Sequence, residues 1–118
     1  MTDLAYLAGP YTHRDPAVRQ HRYDMLTRAA GVLYGDGVHV LSPITHGHVI
    51  HQVTPDLPHE FEFWRDICFN QLDRCDYMIV LQLDGWQISV GVNEEIKRAG
   101  EQGKMVYFMC PDAMRVMG

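Results

Sequence analysis

The stretch from residue 77 to residue 99 constrains the fold of this chain more than any other. It begins with an apolar run, Tyr77–Leu81, that is typical of a buried strand, and continues through a turn containing Gly85. Apolar residues then recur at Val92, Ile96 and Ala99, and these spacings of four and three residues predict a helix. A buried strand followed by an amphipathic helix is the repeating unit of a parallel α/β sheet.

The same alternation of strand and helix covers the rest of the chain. The predicted strands are residues 4–8, 38–41, 77–81 and 105–109, and the other predicted helices are residues 16–34 and 59–74. Residues 42–58 are polar and rich in His and Pro, and we interpret them as a loop at the carboxyl end of the second strand. We therefore predict an α/β fold: a doubly wound, flavodoxin-like three-layer sandwich with a four- or five-stranded, mainly parallel sheet.

Length, composition and charge indicate a single globular domain and argue against membrane, secreted and nucleic-acid-binding proteins. The 118 residues are 47% hydrophobic, which predicts a single domain, residues 1–118, with a substantial core. The net charge of −5 argues against a nucleic-acid polymer as partner, though not against a nucleotide. Neither a membrane span nor a signal peptide is expected. Cys68, Cys75 and Cys110 are interpreted as reduced thiols, which favours a cytoplasmic protein.

The start of the last predicted helix carries the clearest candidate site. Ser89 is a suitable helix cap, and its hydroxyl and the following N–H groups could also hold a phosphate or a sugar hydroxyl. Gly91 would allow a ligand to approach the backbone closely. Glu95 borders the apolar stripe and is directed toward the carboxyl ends of the strands, where ligands bind in such sheets. A surface charge on an amphipathic helix is the alternative reading of Glu95 and the favoured one for Glu94.

Other acidic and histidine residues allow more than one reading. Asp66 and Asp73 share one side of the long helix, and at least one of them is expected to be solvated. Asp76 is expected to tie the start of the third strand. A His-x-His arrangement at His46 and His48 is compatible with a metal, but no acidic or Cys ligand lies at a supporting spacing. We therefore predict no metal site there and a loop that contacts substrate instead.

Three arginines lie around the end of the first strand and the start of the first helix: Arg14, Arg19 and Arg22. Any of them could balance a phosphate, and none stands out by spacing alone.

Three motifs together resemble the nucleoside 2-deoxyribosyltransferase-like superfamily, which includes the deoxynucleoside monophosphate N-glycosidases. They are residues 6–11 (Tyr-Leu-Ala-Gly-Pro-Tyr), residues 75–80 (Cys-Asp-Tyr-Met-Ile-Val), and Ser89-x-Gly91-Val92-x-x-Glu95, of which the last is the specific one. The resemblance spans almost the whole chain. The version of the last motif that follows Asp84-Gly85-Trp86 looks most like small bacterial and phage members.

The resemblance implies a role for each matching residue. Glu95 would attack or stabilise the anomeric carbon of the sugar, Tyr6 would orient its carboxylate, and Ser89 would contact phosphate. Asp66 would protonate the leaving base, with Asp73 as the alternative. Arg19 would be the basic phosphate contact, for which His13 or Arg14 could substitute. The remaining expected substrate contacts are Gly9, Tyr11, Gly91, Trp86 and His46.

The resemblance implies an enzyme that cleaves, by hydrolysis or by transfer, the N-glycosidic bond of a nucleoside or its 5′-monophosphate. Two carboxyl groups that divide the work in this way parallel those of glycoside hydrolysis. No cofactor is implied, and a homodimer or higher homo-oligomer is expected. A non-catalytic nucleotide-binding module and an NAD glycohydrolase remain the alternative hypotheses.

Overall fold

The computed structural model describes residues 2–112, which form four strands and four α-helices around one sheet. In chain order the elements are β1 (Leu4–Ala8), α1 (Pro16–Gly35), β2 (His39–Leu41), α2 (Pro43–Val53), α3 (Phe61–Asp73), β3 (Tyr77–Leu81), a 3₁₀ turn (Trp86–Ile88), α4 (Val90–Glu101) and β4 (Val106–Met109). Strands β1 and β3 have the bounds that the apolar runs predict. No helix in this part of the chain is long and apolar enough to cross a membrane.

All four strands are parallel, and their order across the sheet is β2-β1-β3-β4. The chain therefore leaves β1 toward one edge of the sheet and returns to pair β3 with the opposite side of β1. This reversal makes the gap between the carboxyl ends of β1 and β3 the switch point at which ligands bind in such folds. The predicted α/β three-layer sandwich is confirmed, with four strands in its sheet.

Two apolar layers cover the two faces of the sheet because successive strand residues point in opposite directions. On one face, Ala5 and Leu7 of β1 pack with Leu26 and Ala29 of α1. The opposite face belongs to α3 and α4, and its buried residues are Tyr6, Ala8, Leu72, Cys75, Met78, Val80, Val92 and Ala99. Tyr6 therefore points toward the helix that carries Glu95.

Local hydrogen bonds explain where the elements begin. The Oδ1 atom of Asp15 accepts from the N–H of Ala17 at 2.9 Å, and Pro16 occupies the first turn, where no N–H is needed. Asp76 accepts from the N–H of Leu4 at 2.7 Å and so ties the starts of β3 and β1 together, as the sequence indicates. These contacts fix the strand ends relative to the first helix.

The prediction for residues 42–58 is wrong in one respect. Most of this segment is not a loop but helix α2, which begins after Ser42 with Pro43 in its first turn. Four residues spaced as one helical face, Ile44, Gly47, His48 and His51, line the cavity described below. The abundance of His, Thr and Gly conceals the helix, because its inward face is only partly apolar and polar side chains complete it.

Candidate functional site

A cavity of about 430 Å³ opens at the carboxyl ends of β1 and β3, the position that the strand order favours. Gly9 and Tyr11 from the loop after β1 form one side, and α2 contributes Gly47 and His48. The start of α3 and the first turns of α4 close the remaining walls. The volume lies within the range of small-molecule sites.

Glu95 lines this cavity, although the residue is only 6% exposed. The hydroxyl of Tyr6 donates a hydrogen bond of 2.5 Å to its Oε2 atom. Burial raises the pKa of Glu95 to about 7, and the hydrogen bond from Tyr6 opposes part of that rise. Near neutral pH the protonated and ionised forms of this carboxyl group are therefore both populated. The alternative reading of Glu95 as a surface charge is wrong.

A thiol and a phenol surround this carboxyl group without competing with it as nucleophiles. Tyr6 is buried in the sheet, and burial raises its pKa well above the usual value, with the charge of Glu95 adding to the effect. Cys68 of α3 also lines the cavity, and burial together with Glu95 raises the pKa of its thiol to about 12. Since a thiol reacts as the thiolate, this rise in pKa disfavours Cys68 as a nucleophile, and Glu95 is the group of the three whose pKa lies near neutral pH.

The first turn of α4 forms the wall beside Glu95. Ser89 caps the helix, because its Oγ accepts from the N–H of Val92 at 3.2 Å, and it lines the cavity with Val90 and Gly91. A Cβ atom on Gly91 would come within 3.1 Å of the ring of Phe61, so the absence of a side chain lets α3 and α4 approach each other here. Free N–H groups at a helix start favour an anion.

Arg22 of α1 supplies a positive charge on the same side of the cavity. Its guanidinium donates to two backbone carbonyl oxygens, that of Thr12 after β1 and that of Asp84 after β3, each at 3.1 Å. Among residues 2–112 the ion pair within 4 Å joins Arg98 and Asp73, whereas the carboxylate of Asp84 acts on Arg22 only from a longer distance. Two carbonyl oxygens hold the guanidinium in place while its charge remains available to a ligand.

A second polar group lies on the α2 side of the cavity. The Nδ1 atom of His48 and the hydroxyl oxygen of Tyr11 are 2.6 Å apart, and the imidazole stacks on the ring of Tyr23 at a centroid distance of 4.0 Å. Nε2 of His48 faces the amide nitrogen of Gln52 at 3.2 Å. Burial lowers the pKa of His48 below its usual value, so its ring is held neutral at pH 7.

Five of the ten residues that the sequence predicts for the site line the cavity, and a sixth, Tyr6, lies behind Glu95. The five are Gly9, Tyr11, Ser89, Gly91 and Glu95. No group of three or more His, Cys, Asp or Glu side chains in the described part of the chain is arranged to hold a metal ion.

The structure does not bring the other four predicted residues to this cavity. Asp66 is exposed on α3, and His46 is exposed on the outer side of α2. The guanidinium of Arg19 donates instead to the carbonyl oxygen of His13. Trp86 packs against Phe108 of β4 at a ring-centroid distance of 5.4 Å.

The alternative acid, Asp73, is also engaged elsewhere. Both of its carboxylate oxygens accept from Arg98, at 2.8 and 2.7 Å, and hydrogen bonds from Arg98 and Gln102 hold the pKa of Asp73 well below its usual range. This carboxylate joins α3 to α4 on the surface and is not a proton donor.

Two polar residues that line the cavity, His48 and Arg22, belong to groups that the sequence singles out, but the spacing does not select them within those groups. His48 would have been selected over His46 if the Ser42-Pro43 pair had been read as a helix start, since the inward face then follows from the spacing. Arg22 stands out only because its partners, Thr12 and Asp84, follow two different strands. Sequence spacing gives no indication of that contact.

No curated protein matches this chain. Residues 3–111 match the family model described as Domain of unknown function (DUF1937). That match covers most of the 118 residues, so the chain belongs to this family of domains of unknown function.

Proposed function

We propose that this protein is an enzyme that cleaves the N-glycosidic bond of a nucleoside 5′-monophosphate, with Glu95 as the nucleophile or the electrostatic stabiliser of the sugar. The observation that carries the proposal is a buried carboxyl group in the cavity at the switch point, held by the hydroxyl of Tyr6 at 2.5 Å. The motif resemblance to the nucleoside 2-deoxyribosyltransferase-like superfamily adds support, because its specific glutamate corresponds to Glu95.

The chemistry needs a carboxylate in this position. Breaking the bond between sugar and base builds positive charge on the anomeric carbon, and a nearby carboxylate either traps that carbon covalently or stabilises its charge. A carboxylate that is shielded from water interacts more strongly with such a charge than an exposed one does. The hydrogen bond from Tyr6 keeps the reactive oxygen oriented.

The other side of the cavity supports a substrate that carries a phosphate. Arg22 brings a positive charge that two backbone carbonyl oxygens hold in place, and the first turn of α4 brings free N–H groups and the Ser89 hydroxyl. Arg22 therefore takes over the role that the resemblance assigned to Arg19. Hydrolysis is favoured over transfer to a second base, since Ser89 is typical of the monophosphate glycosidases.

A second candidate function is a nucleotide-binding module without catalytic activity. Asp66, to which the resemblance assigns protonation of the leaving base, is exposed on α3 and does not line the cavity. Such a module would be stabilised by a nucleotide without releasing its base, since any ligand that binds only the native state raises stability.

The test is chromatographic detection of free base. Purified protein is incubated with each deoxynucleoside and ribonucleoside monophosphate, the free nucleosides and NAD. We expect base release from at least one monophosphate, loss of that release in Glu95→Gln, and retention in the matched control Glu94→Gln, one position along α4 and absent from the cavity wall. Arg22→Gln is expected to raise KM for the monophosphate more than for the free nucleoside. Full activity in a folded Glu95→Gln protein would contradict the proposal.

We further propose a homo-oligomer, as the resemblance implies, in the cytoplasm, as the three free thiols indicate. Exposed apolar side chains beside the cavity, Ile88 and Val90, support an assembly that shields its mouth. Light scattering across a concentration range tests this, and a monomer at every concentration contradicts it.

A further inference from the structure

We infer that the hydroxyl of Tyr11, backed by the imidazole of His48, is the proton donor to the leaving base. The inference rests on the proposed cleavage of an N-glycosidic bond and supplies the group that the reaction lacks once Asp66 is found outside the cavity. Tyr11 and His48 both line the cavity that holds Glu95, and their side chains are in direct hydrogen-bond contact at 2.6 Å.

The direction of the hydrogen bonds follows from Gln52. Its amide nitrogen lies 3.2 Å from Nε2 of His48, and an amide nitrogen can only donate. Nε2 therefore accepts, and in the neutral ring the single proton lies on Nδ1. That proton is donated to the hydroxyl oxygen of Tyr11. The tyrosine oxygen thus acts as an acceptor toward His48, and its own proton is free to point into the cavity.

The surroundings hold this arrangement in place. The imidazole is 8% exposed and stacks on Tyr23 with an interplanar angle of 17°, which fixes the plane of the ring. Burial lowers the pKa of His48 and raises that of Tyr11, so the imidazole is held neutral and the phenol keeps its proton at pH 7. A neutral imidazole and a protonated phenol are the states that the hydrogen bonds from Gln52 to His48 and from His48 to Tyr11 require.

The proton balance closes over one catalytic cycle. When the bond between sugar and base breaks, its electron pair goes to the base nitrogen, and the base takes the proton of the Tyr11 hydroxyl. The N–H at Nδ1 of His48 stabilises the resulting phenolate. When water then attacks the sugar held by Glu95, the phenolate accepts the proton that this water releases, and the starting state returns. One group serves as acid and then as base, as in retaining glycosidases.

The test compares two leaving groups. One substrate is the natural monophosphate, and the other is the 4-nitrophenyl glycoside of deoxyribose 5-phosphate, whose nitrophenolate departs without a proton. In Tyr11→Phe we expect base release to fall by roughly 10²- to 10⁴-fold, the usual loss of a general acid, while the nitrophenolate released in the first turnover is unchanged, because that step precedes the attack of water. Tyr107→Phe, which removes an exposed hydroxyl on β4, is the matched control.

Substitutions of His48 distinguish positioning from packing. His48→Asn keeps an N–H donor near the position of Nδ1 and is expected to retain more base release than His48→Leu, with first-turnover release of nitrophenolate equal in the two. An equal loss of base release and of first-turnover nitrophenolate in Tyr11→Phe, or normal base release, overturns the inference. Glu95→Gln is expected to lose both reactions. If the wild-type protein releases neither group, the proposed function itself fails and this inference fails with it.

Discussion

The acidity of Glu95 is set by two opposing effects that can be separated by one substitution. Burial raises its pKa to about 7 and the hydroxyl of Tyr6 lowers it, so base release by the wild type is expected to rise with pH up to about 7 and then level off. Tyr6→Phe removes the lowering effect and is expected to move this limb to higher pH. The measurement is the pH profile of kcat/KM. A limb near pH 4.5 in the wild type, or an unmoved limb in Tyr6→Phe, contradicts the assignment.

The same carboxyl group makes stability depend on pH. Its pKa is raised on folding from 4.5 to about 7, so between these values the native state binds more protons than the unfolded state. Stability contributed by the buried acid is therefore full below pH 4.5 and is lost as pH rises toward 7, by about 3 kcal/mol if the whole shift is realised. Glu95→Gln cannot ionise and should be inactive yet more stable than the wild type at pH 8, with little difference at pH 4. Thermal unfolding at the two pH values measures this, and a variant less stable at pH 8 contradicts it.

At the scale of single elements, helix α4 offers two glycines with opposite expectations. An added Cβ at Gly100 meets nothing within 4 Å, whereas one at Gly91 comes within 3.1 Å of Phe61. Gly100→Ala is expected to stabilise the protein by about 0.5–1 kcal/mol, because alanine loses less entropy in a helix, without affecting nucleotide binding. Gly91→Ala is expected to displace Phe61 and weaken binding. Denaturant unfolding and nucleotide titration test the pair, and equal binding by both variants contradicts the expectation.

Elements with a strong apolar pattern are predictable from this sequence, and those with a mixed pattern are not. The runs at β1 and β3 predict both strands to the residue, since a central parallel strand is buried on both faces and tolerates few polar residues. The sequence does not reveal helix α2, because its inward face carries His48 and His51 beside Ile44. Composition alone does not distinguish a histidine that lines a cavity from a histidine in a loop.

The candidate site divides in the same way. The sequence predicts that Ser89, Gly91 and Glu95 lie together, because they belong to one helix start, where short spacings fix the geometry. It does not select Arg22 among the arginines or pair His48 with Tyr11, because those contacts join residues that are distant in the chain. Only the resemblance assigns a role to Asp66, and the rotation of α3 turns this residue to the solvent.

At the scale of the whole molecule, the sheet order predicts a gradient of local stability. Strands β1 and β3 are paired on both sides, whereas β2 and β4 form the edges. Amides of the central pair are therefore expected to exchange slowest, near the limit set by global unfolding, and those of the edges faster. Native-state hydrogen exchange measures this, and edge amides that exchange as slowly as those of β1 contradict it.

Through Tyr6, strand β1 contributes both to the sheet and to the candidate site. It pairs with Leu41 on one side and Met78 on the other, and its hydroxyl reaches through the layer to Glu95. A shift of β1 by one residue would turn this side chain to the opposite face and leave the carboxyl group without its donor. The pKa of Glu95 therefore reports on strand alignment. In a molecule whose Glu95 has the native pKa of about 7, strand β1 is paired in the correct register.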